Sequence, residues 1–181
     1  MGQIANFKIT GKTSAQAACD SLAQHLGFKT VKRSVNIRIQ FAPGIGHTSW
    51  TSPKSSIGDV AELAELLITG YRTFTKKKTG TKVYTKVRPR PIFDNYASLY
   101  ANDMRQICIN AFKTYSHWSV AKRALQAGKA IIKDIQHKAY NGSLGLSMNK
   151  GKYAARKLSV YGDIPLVATK ALLKGLEVIV E

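Results

Sequence analysis

Four stretches of the chain carry apolar residues at every third or fourth position, the spacing that places them on one face of a helix. A fifth stretch, residues 31–41, alternates apolar with polar residues, as a strand with one buried face does. Gly27 follows the first helical stretch as a stop signal, and Ser56 precedes the second as a helix cap. The predicted helices span residues 14–26, 56–68, 93–115 and 119–140.

Two further β signals follow. Residues 71–87 place Thr, Lys, aromatic and β-branched residues on both sides of Thr79-Gly80, which predicts a β-hairpin. The closing LEVIVE predicts a terminal strand, and the Gly-, Ser-, Asn- and Lys-rich residues 141–163 predict an exposed connection. Together these elements predict a single α+β domain over residues 1–181. Its expected architecture is an antiparallel sheet packed by two long helices, with a protruding basic β-hairpin arm at residues 71–90.

The charge balance is far from neutral, because 28 Lys and Arg stand against 10 Asp and Glu, a formal net charge of +18. A field of that sign attracts phosphates, anionic membrane surfaces and acidic proteins without choosing among them. In the predicted hairpin arm the charge is either a solvated loop surface or a face that contacts DNA or an acidic partner. The basic residues of the arm are Lys76, Lys77, Lys78, Lys82, Lys86, Arg88 and Arg90.

No pattern of catalytic or metal-binding residues stands out in the sequence. The nearest approach to a metal motif is Asp134 with His137, a pair of helical neighbours for which a solvent-facing position is the favoured interpretation. The segment Gly44-Ile45-Gly46 is followed by HTSW and not by a glycine-rich helix start, which indicates a turn and not a phosphate site. We therefore expect no enzyme activity, no catalytic residue, no cofactor and no metal site.

Cys19 and Cys108 each fall at an apolar position of a predicted helix, which favours buried, reduced thiols over a disulfide. The N-terminal residues MGQIANFKIT lack a basic segment followed by an apolar run. No stretch of the sequence approaches the ~18 apolar residues of a membrane span. These features predict a soluble protein, made in the cytoplasm, with no membrane partner.

Three segments occur in an informative order. They are VAELAELLITG at residues 60–70, RPRPIFDNYASLY at residues 88–100, and IQHKAYNGS, YAARK and DIPLVATKALLKGLEVIVE toward the C-terminus. In this order they resemble the virion-morphogenesis and tail-completion proteins of tailed bacteriophages, the neck or head-tail joining family. The first is similar to a short family helix before a variable loop, and the second to a Pro-x-Arg-Pro-Phe segment that leads into a helix. The third is similar to the family's closing helix, linker and strand.

The chain departs from the family pattern at two positions. Ile92 stands between Pro91 and Phe93, and Lys170 follows Thr169 where the family has glycine. The prolines of these segments fix backbone φ angles, and they either contact a neighbouring subunit or only terminate helices and strands. The resemblance implies a subunit interface at Pro91, Phe93, Pro165, Leu166 and Thr169.

The resemblance also implies a function. The chain would be a structural protein of the virion, located at the head-tail junction, where it joins the head and portal region to the tail. It would assemble with copies of itself into a ring, expected to be a hexamer, and contact other neck, portal or tail proteins and the genomic DNA in the channel. The alternative is a non-specific nucleic-acid-binding protein driven by its net positive charge. An enzyme acting on an acidic substrate would need a constellation that the sequence does not show.

Overall fold

The computed structural model describes residues 5–10, 34–45, 59–76, 79–147 and 171–181. The predicted helix at residues 14–26 lies outside these residues, as do Cys19 and the part of the predicted connection after residue 147. Cys108 is a half-buried free thiol, and burial raises the pKa of this thiol. The elements in chain order are β1 (Ala5–Thr10), β2 (Ser34–Phe41), α1 (Val60–Thr69), β3 (Tyr71–Lys76), β4 (Lys82–Val87), α2 (Ile92–Leu99), α3 (Ala101–Thr114), α4 (Val120–Tyr140), α5 (Ala171–Lys174) and β5 (Leu176–Val180).

The main sheet has three antiparallel strands in the order β1-β2-β5. The predicted alternation in β2 is confirmed, since Ile37 and Ile39 are fully buried and Phe41 nearly so. The predicted terminal strand is also confirmed as β5. Strand β1 was not anticipated from the sequence, although Ala5, Phe7 and Ile9 alternate with polar residues. The α+β class is therefore confirmed, and a single domain over the whole chain stays a prediction.

Helix α1 begins later than the sequence pattern predicted. Its cap is Asp59 and not Ser56, because one carboxylate oxygen of Asp59 accepts the backbone N–H of Ala61 at 2.8 Å. The other oxygen accepts the N–H of Gly44, also at 2.8 Å. These two hydrogen bonds stabilise the carboxylate and lower the pKa of Asp59. The same side chain thus starts the helix and holds the turn after β2 against it.

The predicted helix at residues 93–115 is wrong as a single element, because the chain forms α2 and α3 with a break at Tyr100. The backbone of Tyr100 leaves the helical range at φ −125° and ψ 27°. The break is held by tertiary contacts: the Tyr100 hydroxyl donates to the carbonyl of Ser143 at 2.9 Å. The ammonium of Lys138 lies 4.1 Å from the centre of the Tyr100 ring. The apolar stripe runs through this position, so periodicity alone does not reveal the break.

Helix α4 lies across the sheet and forms the centre of the core. The predicted helix 119–140 is confirmed here, with Ser119 as the cap that accepts from the N–H of Lys122. Ile131 and Ile135 on its inner face are fully buried. Gly128 brings the helix backbone against Val178 of β5 and Ile37 of β2. The close approach places the central strand, the C-terminal strand and α4 in one layered core.

The predicted exposed connection at residues 141–163 is partly wrong. Asn141, Gly142 and Ser143 are exposed, but Leu144 is buried in the core cluster. Its carbonyl accepts a hydrogen bond from the side-chain amide of Asn95 in α2 at 2.8 Å. The turn after α4 therefore packs against α2, because burial of the apolar side chain of Leu144 in the core is favourable even though the surrounding segment is polar.

We predict that Gly128→Ala destabilises the fold. In an exposed helix this change stabilises by about 1 kcal/mol, but here a Cβ would lie 2.5 Å from Cγ1 of Val178 and 3.2 Å from Cγ2 of Ile37. Val178 is a short, stiff side chain, so the helix and the sheet must separate. We expect the free energy of unfolding, measured by urea denaturation, to fall by about 1–3 kcal/mol, the usual cost of overpacking. In a Val178→Ala background, Gly128→Ala should cost less, and equal costs in both backgrounds would contradict the proposed clash.

Candidate nucleic-acid interface

The basic arm forms a two-stranded antiparallel sheet of its own. Strands β3 and β4 pair along their full length, from Tyr71 opposite Val87 to Lys76 opposite Lys82. Gly80 in the connecting turn has φ 84°, a left-handed conformation that glycine adopts without strain. At the other end, Gly70 with φ 76° joins α1 directly to β3. The arm therefore starts from the end of a helix that is itself part of the core.

The register of the arm brings basic and aromatic positions together. Residues directly opposite each other in an antiparallel pair lie on the same face, and positions two apart along a strand share that face. One face thus combines three cross-strand pairs, which we call the arm face: Arg72 with Lys86, Phe74 with Tyr84, and Lys76 with Lys82. The opposite face has Tyr71, Thr73, Thr75, Val83, Thr85 and Val87.

The electrostatics of the arm face favour an anion. In two of its three cross-strand pairs the ladder positions directly opposite each other are both basic, and like charges at such positions destabilise an isolated hairpin. The sequence contains no Asp or Glu between Glu65 and Asp94. Tyr84, between the two basic pairs, is 66% exposed and offers an aromatic surface beside cations. Cations that bind phosphates next to an aromatic ring that stacks on bases are the combination used by proteins that bind single-stranded nucleic acid.

The structure describes five of the seven predicted basic residues of the arm. Lys82, Lys86 and Arg88 are exposed, and Lys76 ends β3 on the arm face, whereas Lys77 and Lys78 lie outside the described residues. Arg72 belongs to the arm face but was missed in the sequence, because only the strand register shows that it lies opposite Lys86.

Arg90 is not part of an exposed basic surface, and its predicted role in contacting DNA or a partner is wrong. Only 9% of the residue is exposed. Its backbone N–H donates to the carbonyl of Leu67 in α1 at 2.9 Å, and its Nε donates to the carbonyl of Ser147 at 3.3 Å. Arg90 therefore ties the end of the arm to α1 and to the turn that follows α4.

The residues after Arg90 also attach the end of the arm to the core, and we call Arg90, Ile92 and Phe93 together the anchor of the arm. Ile92 is fully buried, and Phe93 is 4% exposed, with its ring centre 5.7 Å from that of Phe41. The prediction that Phe93 belongs to a subunit interface is wrong, since the side chain packs in the chain's own core. Pro91 is half-buried at the start of α2. The other predicted interface residues, Pro165, Leu166 and Thr169, lie outside the described residues.

A second basic surface lies on the outer side of the helix pair α3–α4. An open groove of about 380 Å³ runs between Ile107 and Ala111 of α3 and Ala130 of α4, with the exposed Lys129 and Lys133 on its α4 side. Within the described part of the chain neither lysine makes an ion pair. The described residues therefore place exposed cations beside this groove as well as on the arm.

The acidic residues of the helix pair are engaged on the other side of α4. Asp134 accepts a hydrogen bond from the buried Tyr96 hydroxyl at 2.8 Å, and burial together with this carboxylate raises the pKa of Tyr96 well above its usual value. Asp103 lies 3.0 Å from the ammonium of Lys138 and raises the pKa of that lysine.

His137 is exposed, and the described residues contain no group of three His, Cys, Asp or Glu side chains able to hold a metal ion.

Comparison of the chain with protein-family models, curated proteins and solved structures finds no match. Among the helices of the described residues, none combines the length and the apolar character needed to cross a membrane.

We predict that Arg90 and Arg88, two residues apart, differ in how much substitution by methionine destabilises the fold. Arg90→Met removes the donor to Ser147 from a buried site, so the free energy of unfolding should fall by about 1.5–3 kcal/mol. Arg88 is exposed, and Arg88→Met should change stability by less than about 0.5 kcal/mol. Urea denaturation of the two variants beside the parent measures the difference. Equal stability of all three proteins would show that Arg90 does not anchor the arm.

Proposed function

We propose that the chain is a structural subunit of a tailed-phage neck or tail-completion ring, which joins the head and portal region to the tail by oligomeric assembly. The observation that carries the proposal is the arm face, whose cross-strand pairs alternate cations with aromatic residues on a hairpin anchored to the core. In such a ring the arm face contacts the DNA that occupies or passes through the bore. The order of the three family-like segments, from residue 60 to the C-terminus, supports the same role.

The arm suits contact with a nucleic-acid backbone better than base-specific recognition. Lysine carries a compact charge that meets phosphate from many directions, whereas bidentate reading of a base edge relies on a planar side chain such as arginine or asparagine. The exposed basic side chains of the arm include Lys82 and Lys86, and Arg72 is the one arginine on the arm face. A surface of this kind holds DNA of any sequence, which is what a channel through which a whole genome passes requires.

Ring formation must overcome the subunits' own charge. Each copy carries a formal net charge of +18, so free subunits repel one another until salt, DNA or acidic partners screen the charge. We therefore propose that the isolated protein is monomeric or weakly associated, and that the ring forms in the particle. The copy number of the ring is proposed to be six on the family resemblance.

The alternative proposal is a free, non-specific nucleic-acid-binding protein, and the same arm face favours it. The two proposals differ in where the arm acts. A ring subunit needs the arm for the production of DNA-filled, infectious particles, whereas a free binding protein uses it without being part of the particle. Both proposals share the DNA-binding property, and only the first places the chain in the virion.

We predict that the isolated protein binds DNA without sequence preference and loses affinity steeply with salt. Each phosphate contact contributes about 0.9 to the slope of log K against log salt concentration on double-stranded DNA. Replacing Arg72, Lys82 and Lys86 by Gln should therefore lower that slope by about 2.7. Replacing the exposed Lys113, Lys122 and Lys174 by Gln removes the same charge elsewhere and is the matched control. Equal slopes for the two triple variants would show that bulk charge, and not the arm, binds DNA.

We predict that the arm is needed for assembly and not for folding. The variant in which Lys76, Lys77, Lys78 and Lys82 are all Ser should keep its stability within about 0.5 kcal/mol for each exposed site. It should yield fewer DNA-filled and infectious particles than the parent. Ile135→Ala gives the opposite contrast, because deleting a fully buried side chain should cost about 2–5 kcal/mol. Normal particle counts from the four-Ser variant, beside an unchanged melting temperature, would remove the arm from the proposed role.

A further inference from the structure

The three-stranded sheet has two outer edges. Strand β2 lies between β1 and β5, and within the described residues no strand pairs with the outer side of either neighbour. An outer strand presents backbone N–H and C=O groups that can pair with another chain. The two edges differ in which residues they present and in the sign of the charge beside them.

The ladder shows which backbone groups face outward. Asn36 and Glu181 exchange both of their backbone hydrogen bonds, at 2.9 Å each. Because bonded and non-bonded pairs alternate in an antiparallel ladder, Glu177 and Ile179 of β5 also direct their backbone groups to β2. The residues whose backbone groups point away from the sheet are Leu176, Val178 and Val180 on the β5 edge, and Asn6, Lys8 and Thr10 on the β1 edge.

The two edges carry opposite charge on the same face of the sheet. Ile37 and Ile39 of β2 point into the core, so the alternate positions form the other face. On that face β5 and the residue after it contribute Glu177 and Glu181, two of the chain's 10 acidic residues. Strand β1 contributes the position of Lys8, which is opposite Asn36. Arg38 in the centre pairs with Glu181 at 2.8 Å.

We infer that subunits join by sheet extension, with the β5 edge of one copy pairing with the β1 edge of the next. This arrangement rests on the proposed ring role and places Glu177 and Glu181 beside Lys8 of the neighbour. A two-fold pairing of β5 with β5 would instead bring the acidic strands together, and β1 with β1 would bring the lysines together. Both outer strands run antiparallel to β2, so the new pair is parallel. The contact is heterologous and can close around an axis.

Disulfide trapping tests the pairing. In a background with Cys19→Ser and Cys108→Ala, Ile179→Cys is combined in turn with Asn6→Cys, Lys8→Cys or Thr10→Cys to cover the possible registers. Asn6 and Ile179 are both opposite Arg38 in the same subunit, so β2 separates them by two strand spacings, about 9.5 Å. That is too far for an internal disulfide, which needs Cα atoms within about 7 Å. We expect at least one pair to give a ladder of covalent multimers beyond the dimer, with concentrated protein or in purified particles.

Three results would overturn the inference. A covalent dimer from Ile179→Cys alone, as abundant as the product of the best pair, would indicate a two-fold contact. Rings observed by mass measurement without a ladder from any pair would reject sheet extension and leave the proposed ring function standing. Monomers under every condition, in purified particles as well, would reject both proposals.

Charge reversal is a second test of the β5–β1 pairing, and it does not depend on where cysteines are placed. Lys8→Glu or Glu177→Lys alone should reduce the multimer fraction about tenfold, because like charges then meet at the interface. The double variant should recover most of the loss. Circular dichroism melting of each variant separates a failure of assembly from a failure to fold. Single reversals that melt as the parent does and assemble normally would also reject the pairing.

Discussion

The close packing of α4 on the sheet at Gly128 is the contact on which the rest of the structure depends. It joins β2, near the start of the chain, to β5 at its end, and both strands contact the same helix surface. The other side of α4 then holds the helices that precede it, through the hydrogen bond from Tyr96 to Asp134 and the ion pair of Lys138 with Asp103. A side chain at position 128 would force α4 away from the sheet. The sheet also packs against Phe93, which follows the arm, through Phe41 of β2.

The cations of this strongly basic chain occupy two kinds of environment: most described ones are exposed, and two arginines are buried. Arg90 is used inside the structure, as a donor to a backbone carbonyl, and Arg123 is nearly buried with its guanidinium 5.0 Å from the centre of the Phe112 ring. Among the described residues, the exposed cations include Lys82, Lys86 and Arg88 of the arm and Lys129 and Lys133 of α4. Burial of an unpaired cation costs several kcal/mol, so the buried Arg90 depends on acceptors such as the carbonyl of Ser147, whereas Arg88 is exposed.

The sequence predicted the helices and strands that follow from a local pattern. Its predictions failed where a contact with a residue far along the chain determines the structure. The strand through Ile37 and Ile39 and the helix through Ile131 and Ile135 follow from periodicity, because each buries one regular face. The break at Tyr100 depends on Ser143, and the burial of Arg90 depends on Ser147, in both cases more than forty residues away. Similarly, the positive charge of the arm could be counted in the sequence, but the arm face could not, since it depends on the register that places Arg72 opposite Lys86.

In the proposed ring, distance decides how a strongly basic subunit both binds DNA and contacts its own copies. At physiological ionic strength the Debye length is about 8 Å, so repulsion between the overall charges of two subunits is screened over most of their separation. A carboxylate and an ammonium in contact are much closer than that length, and their attraction survives. In the inferred pairing of β5 with β1, the few acidic residues beside β5 therefore matter more for the direction of assembly than their number suggests. The arm is formed by β3 and β4 and the sheet edges by β1 and β5, so the proposed DNA contact and the proposed subunit contact use different cations.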